Sequence, residues 1–324
     1  MAELLDKELR ITGQKPRLGI SSCLLGMPVR FDGGHKQDNF IQFSLASHIE
    51  CISVCPEVEV GFAIPRPAMQ LRSNGKEIRL VMSKGDNEDV TKKMNDFAGK
   101  KMNDLSHLDG FIFKKNSPSC GVYKVPVVIN NHGYREKIGT GIFAQAFMDR
   151  YPLIPVEEEG RLNDAGIREN FIERIFAYQR WKNIDNSVHG LIGFHSQHKL
   201  MLMARGSHYY QELGRLVAAT TADNLAQHRE KYIHRFMQVM AVIPSKGKQV
   251  NVLLHILGYL KNVLSHEDKK EILGVFEAYR QQQLPLITPV TMLRHYMRLY
   301  PQPYIEKQHY LNPFPEQLAL RSVM

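Results

Sequence analysis

The rhythm of apolar positions changes near residue 160 of this 324-residue chain. Before that point short apolar runs alternate with amphipathic stretches; after it, helical spacing persists almost to the end. The runs at 17–21, 50–54, 110–114, 125–129 and 152–156 are short, rich in β-branched and aromatic residues, and predict strands. Spacing at i, i+3 and i+4 predicts helices over 38–48, about 88–105 and 141–150, with the polar stretch Asn87-Glu-Asp-Val90 placed to cap the second. Such alternation predicts an α/β domain with a mainly parallel, Rossmann-like sheet. The acidic run Glu157-Glu-Glu-Gly160 interrupts the pattern and sets a boundary, dividing the chain into domains 1–160 and 161–324.

Helices are predicted over 164–183, 187–204, 207–219, 222–242, 249–264, 266–283 and 289–299, so the C-terminal domain reads as an all-α helical bundle. Between Asn251 and Leu264 the apolar face is Leu253, Ile256, Leu257, Leu260 and Leu264, while Asn251, His255, Tyr259 and Asn262 share another. Ser265 is placed to cap the helix that follows. The proline-containing tail, Tyr300-Pro-Gln-Pro-Tyr304 and Leu311-Asn-Pro-Phe-Pro315, is expected to wrap the bundle.

Hydrophobic residues at 43% suffice for two packed cores, and no apolar run approaches the roughly 18 residues of a membrane-spanning helix. The N-terminus carries acids where a signal peptide is basic and then apolar, so the chain reads as cytoplasmic. The formal charge of +9 is uneven. Residues 1–160 hold 21 Lys+Arg against 20 Asp+Glu, and residues 161–324 hold 21 against 13, with ten of the fourteen histidines. A +8 half attracts polyanions, although no dense Lys/Arg run marks a nucleic-acid patch.

Four cysteines in a reducing compartment argue against a disulfide framework. Cys23, Cys55 and Cys120 each follow a predicted strand, in Ser22-Cys-Leu-Leu-Gly-Met-Pro28, Cys55-Pro-Glu57 and Asn116-Ser-Pro-Ser-Cys-Gly121. Strand ends of an open parallel sheet lie side by side on its carboxyl edge, where ligands bind. Three thiolates there could hold three irons of a 4Fe–4S cluster and leave the fourth open to substrate. The plainer alternative is a buried free cysteine acting as a small hydrophobe, which suits Cys51 inside its strand. Zinc-finger spacing of Cys and His is absent from the sequence.

The sequence resembles the thiouracil desulfidase family, in particular the two-domain branch that acts on 4-thiouridine in tRNA. The matching residues are Ile20-Ser-Ser-Cys-Leu-Leu-Gly26 with Val29-Arg-Phe-Asp-Gly33, then Cys55-Pro-Glu57 with Pro65-Arg-Pro67, and Ser117-Pro-Ser-Cys-Gly121. In the second half they are Phe194-His-Ser-Gln-His-Lys199, Asn251 through Lys261, and Tyr310-Leu-Asn-Pro-Phe-Pro315. The resemblance implies an iron–sulfur desulfidase domain over 1–160 and a basic, tRNA-binding helical domain over 161–324. It implies a 4Fe–4S cluster on Cys23, Cys55 and Cys120, with Glu57 and Ser117 as catalytic residues.

The expected chemistry replaces C=S by C=O without net redox change. It needs a water at the carbon, a soft acceptor for sulfur and a carboxylate to move protons. Without the resemblance, Glu57 reads first as a helix-start carboxylate and Ser117 as a turn residue. Ser119 is a second candidate hydroxyl. Arg30, Asp32 and Arg66 are candidates for orienting the pyrimidine or its phosphate, or for pairing with one another. In the helical domain His195, Lys199, Arg205, His255 and Tyr259 are candidate RNA contacts, with Tyr209 and Tyr210 as further stacking surfaces. The expected substrate is tRNA, with free thiopyrimidines such as thiouracil as the alternative. A non-catalytic nucleic-acid-binding protein with a structural metal is the contrasting class. A sulfur-inserting enzyme would need an ATP site, and the sequence carries no P-loop.

Overall fold

The computed structural model describes residues 15–83, 88–129 and 133–322. Asn87 lies outside them, as does the acidic N-terminus. The chain divides into two compact units, Met1–Asp164 and Ala165–Met324.

The strands of the first unit are β1 (Arg17–Ser21), β2 (Glu50–Val54), β3 (Met69–Ser73), β4 (Ile78–Met82), β5 (Gly110–Phe113), β6 (Val125–Val128), β7 (Arg135–Gly139) and β8 (Val156–Glu158). One sheet has the order β2-β1-β5-β8, and all its pairings are parallel. From β1 the chain steps to β2 on one side and then crosses to β5 on the other. The switch point therefore lies at β1, and its carboxyl end opens a crevice. Gly19 is required in the middle of β1, because a Cβ there would stand 2.4 Å from the Phe111 ring. Phe111 stacks on Phe113 with ring centroids 3.8 Å apart, and both meet Phe143 and Phe147 edge-on. Those two phenylalanines belong to a helix over Ile142–Arg150, one of the helices that cover the sheet.

The second sheet, β4-β3-β6-β7, was not expected. It joins two antiparallel hairpins through the parallel pair β3 and β6. The run at 125–129 belongs here and not to the parallel sheet. A parallel neighbour of β5 needs a crossover of a dozen or more residues, and residues 114–124 form the cysteine loop instead. The run at 152–156 is not a strand as a whole. Pro152 and Pro155 lack N–H groups, and pairing begins where the Pro155 carbonyl accepts the Phe111 N–H at 2.9 Å. The acidic run beyond it, where the pattern set the boundary, lies within the first unit. Glu157, Glu158 and Glu159 are buried, and the first unit extends to Asp164.

The helices of this unit are α1 (Pro56–Glu59), α2 (Thr91–Lys101) and α3 (Ile142–Arg150). The stretch predicted at 38–48 is a π-helical turn over Phe40–Leu45 followed by a 3-10 turn over Ala46–His48. Only Ile41 and Leu45 of it are buried, too few for a regular amphipathic helix. At the start of α2, Asp89 accepts the Thr91 N–H at 2.9 Å.

The second unit contains α4 (Ala165–Lys182), α5 (Val188–Arg205), α6 (Ser207–Ala218), α7 (Leu225–Met240), α8 (Lys246–Tyr259), α9 (His266–Arg280), α10 (Ile287–Leu299) and the short α11 (Pro303–Glu306). Leu253, Ile256, Leu257, Leu260 and Leu264 are buried, as their spacing required. Ser265 caps α9 in a capping box with Asp268. The tail lies against the bundle: the Tyr310 hydroxyl donates to Gln249 at 2.6 Å, and the Gln308 amide donates to the Ser196 carbonyl at 2.8 Å.

Candidate active site

Three chain segments meet at the carboxyl edge of the parallel sheet. Cys23 lies in a 3-10 turn over Ser22–Leu25 that Gly26 closes in the left-handed region at φ 87°. Cys55 caps α1, and its N–H donates to Glu59 at 2.9 Å. Cys120 ends a loop in which the Ser117 hydroxyl oxygen accepts the N–H groups of Ser119 (3.2 Å) and Cys120 (3.0 Å). All three thiols line one cavity of about 360 Å³, together with Glu57, Ser117, Arg30, Arg66, Lys36, Lys114 and apolar Val29, Phe31 and Met69. The four cysteines are all free, and Cys51 is outside this cavity.

Burial pushes the Cys23 thiol up to about 11, with Lys114 opposing and Cys55 adding to the rise. Burial also raises Cys55, and it raises Cys120 well above the usual thiol range, with Glu57, Cys55 and Cys23 each adding. The thiols therefore act on one another electrostatically. Among the described residues, no three His, Cys, Asp or Glu side chains gather closely enough to share a single metal ion.

Glu57 stands in α1, two residues past Cys55. Its Oε2 accepts from Arg66 Nη2 at 2.5 Å and Nε at 3.2 Å, and its Oε1 accepts from the Ser119 hydroxyl at 3.0 Å. Arg66 also donates to the carbonyls of Val29 (3.0 Å) and Ala63 (3.2 Å). Arg66 thus pairs with a carboxylate and does not present a free fork to a substrate. Arg30 and Asp32 pair with each other at 3.4 Å, and Arg30 lines the cavity whereas Asp32 does not. The Gly34 amide and the Arg30 guanidinium hold the exposed Asp32 carboxyl below its usual range. Ser119 is fully buried and outside the cavity lining.

Sequence reasoning missed the groups that hold the third cysteine's loop. Glu158 Oε1 accepts the N–H groups of Val122 (2.8 Å) and Tyr123 (3.0 Å), just after Cys120. Glu159 pairs with the Lys114 ammonium and accepts the Lys115 N–H at 2.8 Å, just before it. The acidic run was visible in the sequence, but its residues carried no sign that they were buried.

Residues 18–159 match the 2-thiouracil desulfurase family. Residues 199–315 match a second family, DUF1722, described as a protein of unknown function. The uncharacterized protein YbgA of Escherichia coli (strain K12) is 28% identical over 152 residues, covering 46% of this chain and 90% of its own. A solved structure described as the 4Fe–4S-dependent thiouracil desulfidase TudS is 27% identical. That match covers 46% of this chain and 94% of TudS, with a TM-score of 0.38. The desulfurase-family match spans all three cavity cysteines and Glu57. The DUF1722 match falls within the helical unit.

Two of the expected RNA contacts are buried in the helical unit. Arg205 is buried, 1% exposed, and is paired with Glu173 at 2.7 Å. His195 is buried against the Tyr232 hydroxyl at 3.1 Å, and burial lowers it to about 4. Lys199 is half-buried, with its ammonium over the rings of Tyr210 (5.1 Å) and Tyr304 (5.7 Å). His255 is half-buried, and Tyr259 is exposed and stacked on Tyr304 with centroids 5.9 Å apart. Lys199, His255 and Tyr259 therefore belong to one partly exposed aromatic cluster, joined through Tyr304 and the 5.6 Å edge contact of His255 with Tyr259. Among the described residues no helix is long and apolar enough to cross a membrane.

Proposed function

We propose that this protein removes sulfur from thiolated uracil, replacing C=S by C=O with water as the oxygen source and sulfide as the product. We further propose that the substrate base is 4-thiouridine in tRNA. The observation that carries this reading is the convergence of Cys23, Cys55 and Cys120 on one cavity beside Glu57, in a segment that matches the 2-thiouracil desulfurase family. The donor set suits a 4Fe–4S cluster: three cysteines line one cavity, and thiolates are the ligands that hold such clusters. Bound by these cysteines, such a cluster supplies an iron without a protein ligand, a soft acceptor for sulfur.

The chain's own residues supply the remainder. Glu57 takes a proton from the attacking water. The Ser117 oxygen accepts two backbone N–H groups, so its own proton is left to donate into the cavity. Val29, Phe31 and Met69 give apolar surface for a flat base. The +8 charge of residues 161–324 and the cluster of Lys199, Tyr259 and Tyr304 support an RNA-binding role for the helical unit. A base in folded RNA must leave its stack to reach a recessed site.

A second reading, action on free thiopyrimidines such as thiouracil, is favoured by the base-scale cavity, about 360 Å³, formed wholly within the first unit. Anaerobic incubation of the iron-loaded full chain with thiolated tRNA and with free 4-thiouracil tests both. Loss of thionucleoside with matching sulfide release is expected from tRNA. Turnover of the free base alone would select the second reading, and iron-loaded protein inert on both substrates would defeat each.

A further inference from the structure

We propose that Arg66 and Ser119 are positioning residues that grip the Glu57 carboxylate from opposite sides and fix the direction in which it meets the attacking water. The proposal rests on the desulfidase reading above and assigns how its base is oriented.

Each carboxylate oxygen of Glu57 has its own protein donor. Oε2 takes two N–H bonds from Arg66, and Oε1 takes the Ser119 hydroxyl. Neither donor is free to wander. The other Arg66 nitrogen bonds go to the Val29 and Ala63 carbonyls, and its own N–H donates to the Phe31 carbonyl at 2.9 Å. The Ser119 carbonyl accepts the N–H groups of Phe143 (3.0 Å) and Ala144 (3.1 Å) at the start of α3. Gly141 lies so close to this turn that a Cβ there would stand 2.5 Å from the Ser119 carbonyl. Glu57 is thus tied through Arg66 to the segment after Cys23 and directly to Ser119 in the loop of Cys120, while it rides on the helix that Cys55 begins.

The arrangement also separates the two serines. Ser117 lines the cavity, whereas Ser119 is fully buried outside the lining and acts through Glu57. A carboxylate tied at both oxygens cannot rotate about its terminal bond. A base aligned in this way avoids the misplacement that can cost on the order of 10²-fold in rate.

The test uses the full chain with Ser119→Ala, Arg66→Met and Arg66→Lys, with iron measured in each. Ser119→Ala is expected to keep its iron and its KM and to lose about tenfold in kcat, a fraction of what loss of general-base help removes. Arg66→Lys should recover part of the activity lost in Arg66→Met. In a Glu57→Gln background, Ser119→Ala should cause no further loss, because no carboxylate base remains to be oriented. Crystal structures of Ser119→Ala and Arg66→Met should show Glu57 in more than one orientation. A single, unmoved Glu57 carboxylate in both variants overturns the proposal whatever the activity, and so do losses that multiply independently in the Glu57→Gln background. If the unaltered chain turns over neither substrate, the desulfidase reading fails, and the Glu57 orientation still decides whether the grip exists.

Discussion

Ser21 and Val54 are register partners at the carboxyl ends of the neighbouring parallel strands β1 and β2, and this pairing brings Cys23 and Cys55 to one rim. Cys120 reaches the same rim from the far side of β1, through β5. Replacing any one of Cys23, Cys55 or Cys120 by alanine is therefore expected to strip iron and sulfide from anaerobically purified protein. Cys51→Ala, inside β2 and away from the cavity, should retain about four irons, the content of a 4Fe–4S cluster. Iron and sulfide assays on the four variants decide it, and retained iron in one of the first three removes that residue from the ligand set.

Glu158 binds two amides that follow Cys120, and Glu159 binds the segment that precedes it. Glu158→Ala leaves both amides without their acceptor, at a cost of about 1–3 kcal/mol for a buried unsatisfied group. The expected outcome is a lower unfolding midpoint and faster iron loss with every cysteine intact. Denaturant titration and iron release to a chelator measure the two effects separately.

Arg205 and Lys199 were both expected to touch RNA, and the structure separates them. Arg205→Met removes a partner of buried Glu173, which Arg321 also binds at 2.8 Å. The expected loss of stability is on the order of 3–5 kcal/mol. Lys199→Ala should instead weaken tRNA binding and lower the salt slope of log K by about 1. Binding isotherms at several salt concentrations, beside unfolding curves, distinguish the roles.

His195 is held neutral by burial, its pKa lowered to about 4, and burial also depresses His198 and His309. A histidine whose folded pKa lies below its unfolded value takes up protons on unfolding between the two. Stability is therefore full above about 6.5 and is lost as pH falls toward 4. The unfolding midpoint should drop between pH 7 and pH 5. His195→Gln should reduce that dependence without abolishing it, since His198 and His309 contribute in the same direction. A midpoint independent of pH across this range contradicts the assignment.

Much of the site was legible because its signals are local. The turns around Cys23, Cys55 and Cys120 follow strand-like runs, and β1, β2 and β5 formed where those runs stand. The bundle helices were legible for the same reason, since each carries its own apolar stripe. The second sheet was not, because β3, β4 and β7 are hairpin strands whose polar positions, such as Arg72, Arg79 and Lys137, dilute the apolar pattern. Arg66 and Ser119 were visible as residues, but their partner Glu57 is fixed only when three separate segments meet.

The sequence by itself determined the strand-then-turn placement of the cysteines, the helical character of the second half and its basic charge, because backbone propensity, apolar spacing and net charge are properties of neighbouring or summed residues. Tertiary structure alone decided that the three thiols share one cavity, that Glu157 to Glu159 are buried acceptors, and that Arg205 faces Glu173 and not solvent. Those outcomes depend on which groups lose water together, and desolvation is set by residues distant in the chain.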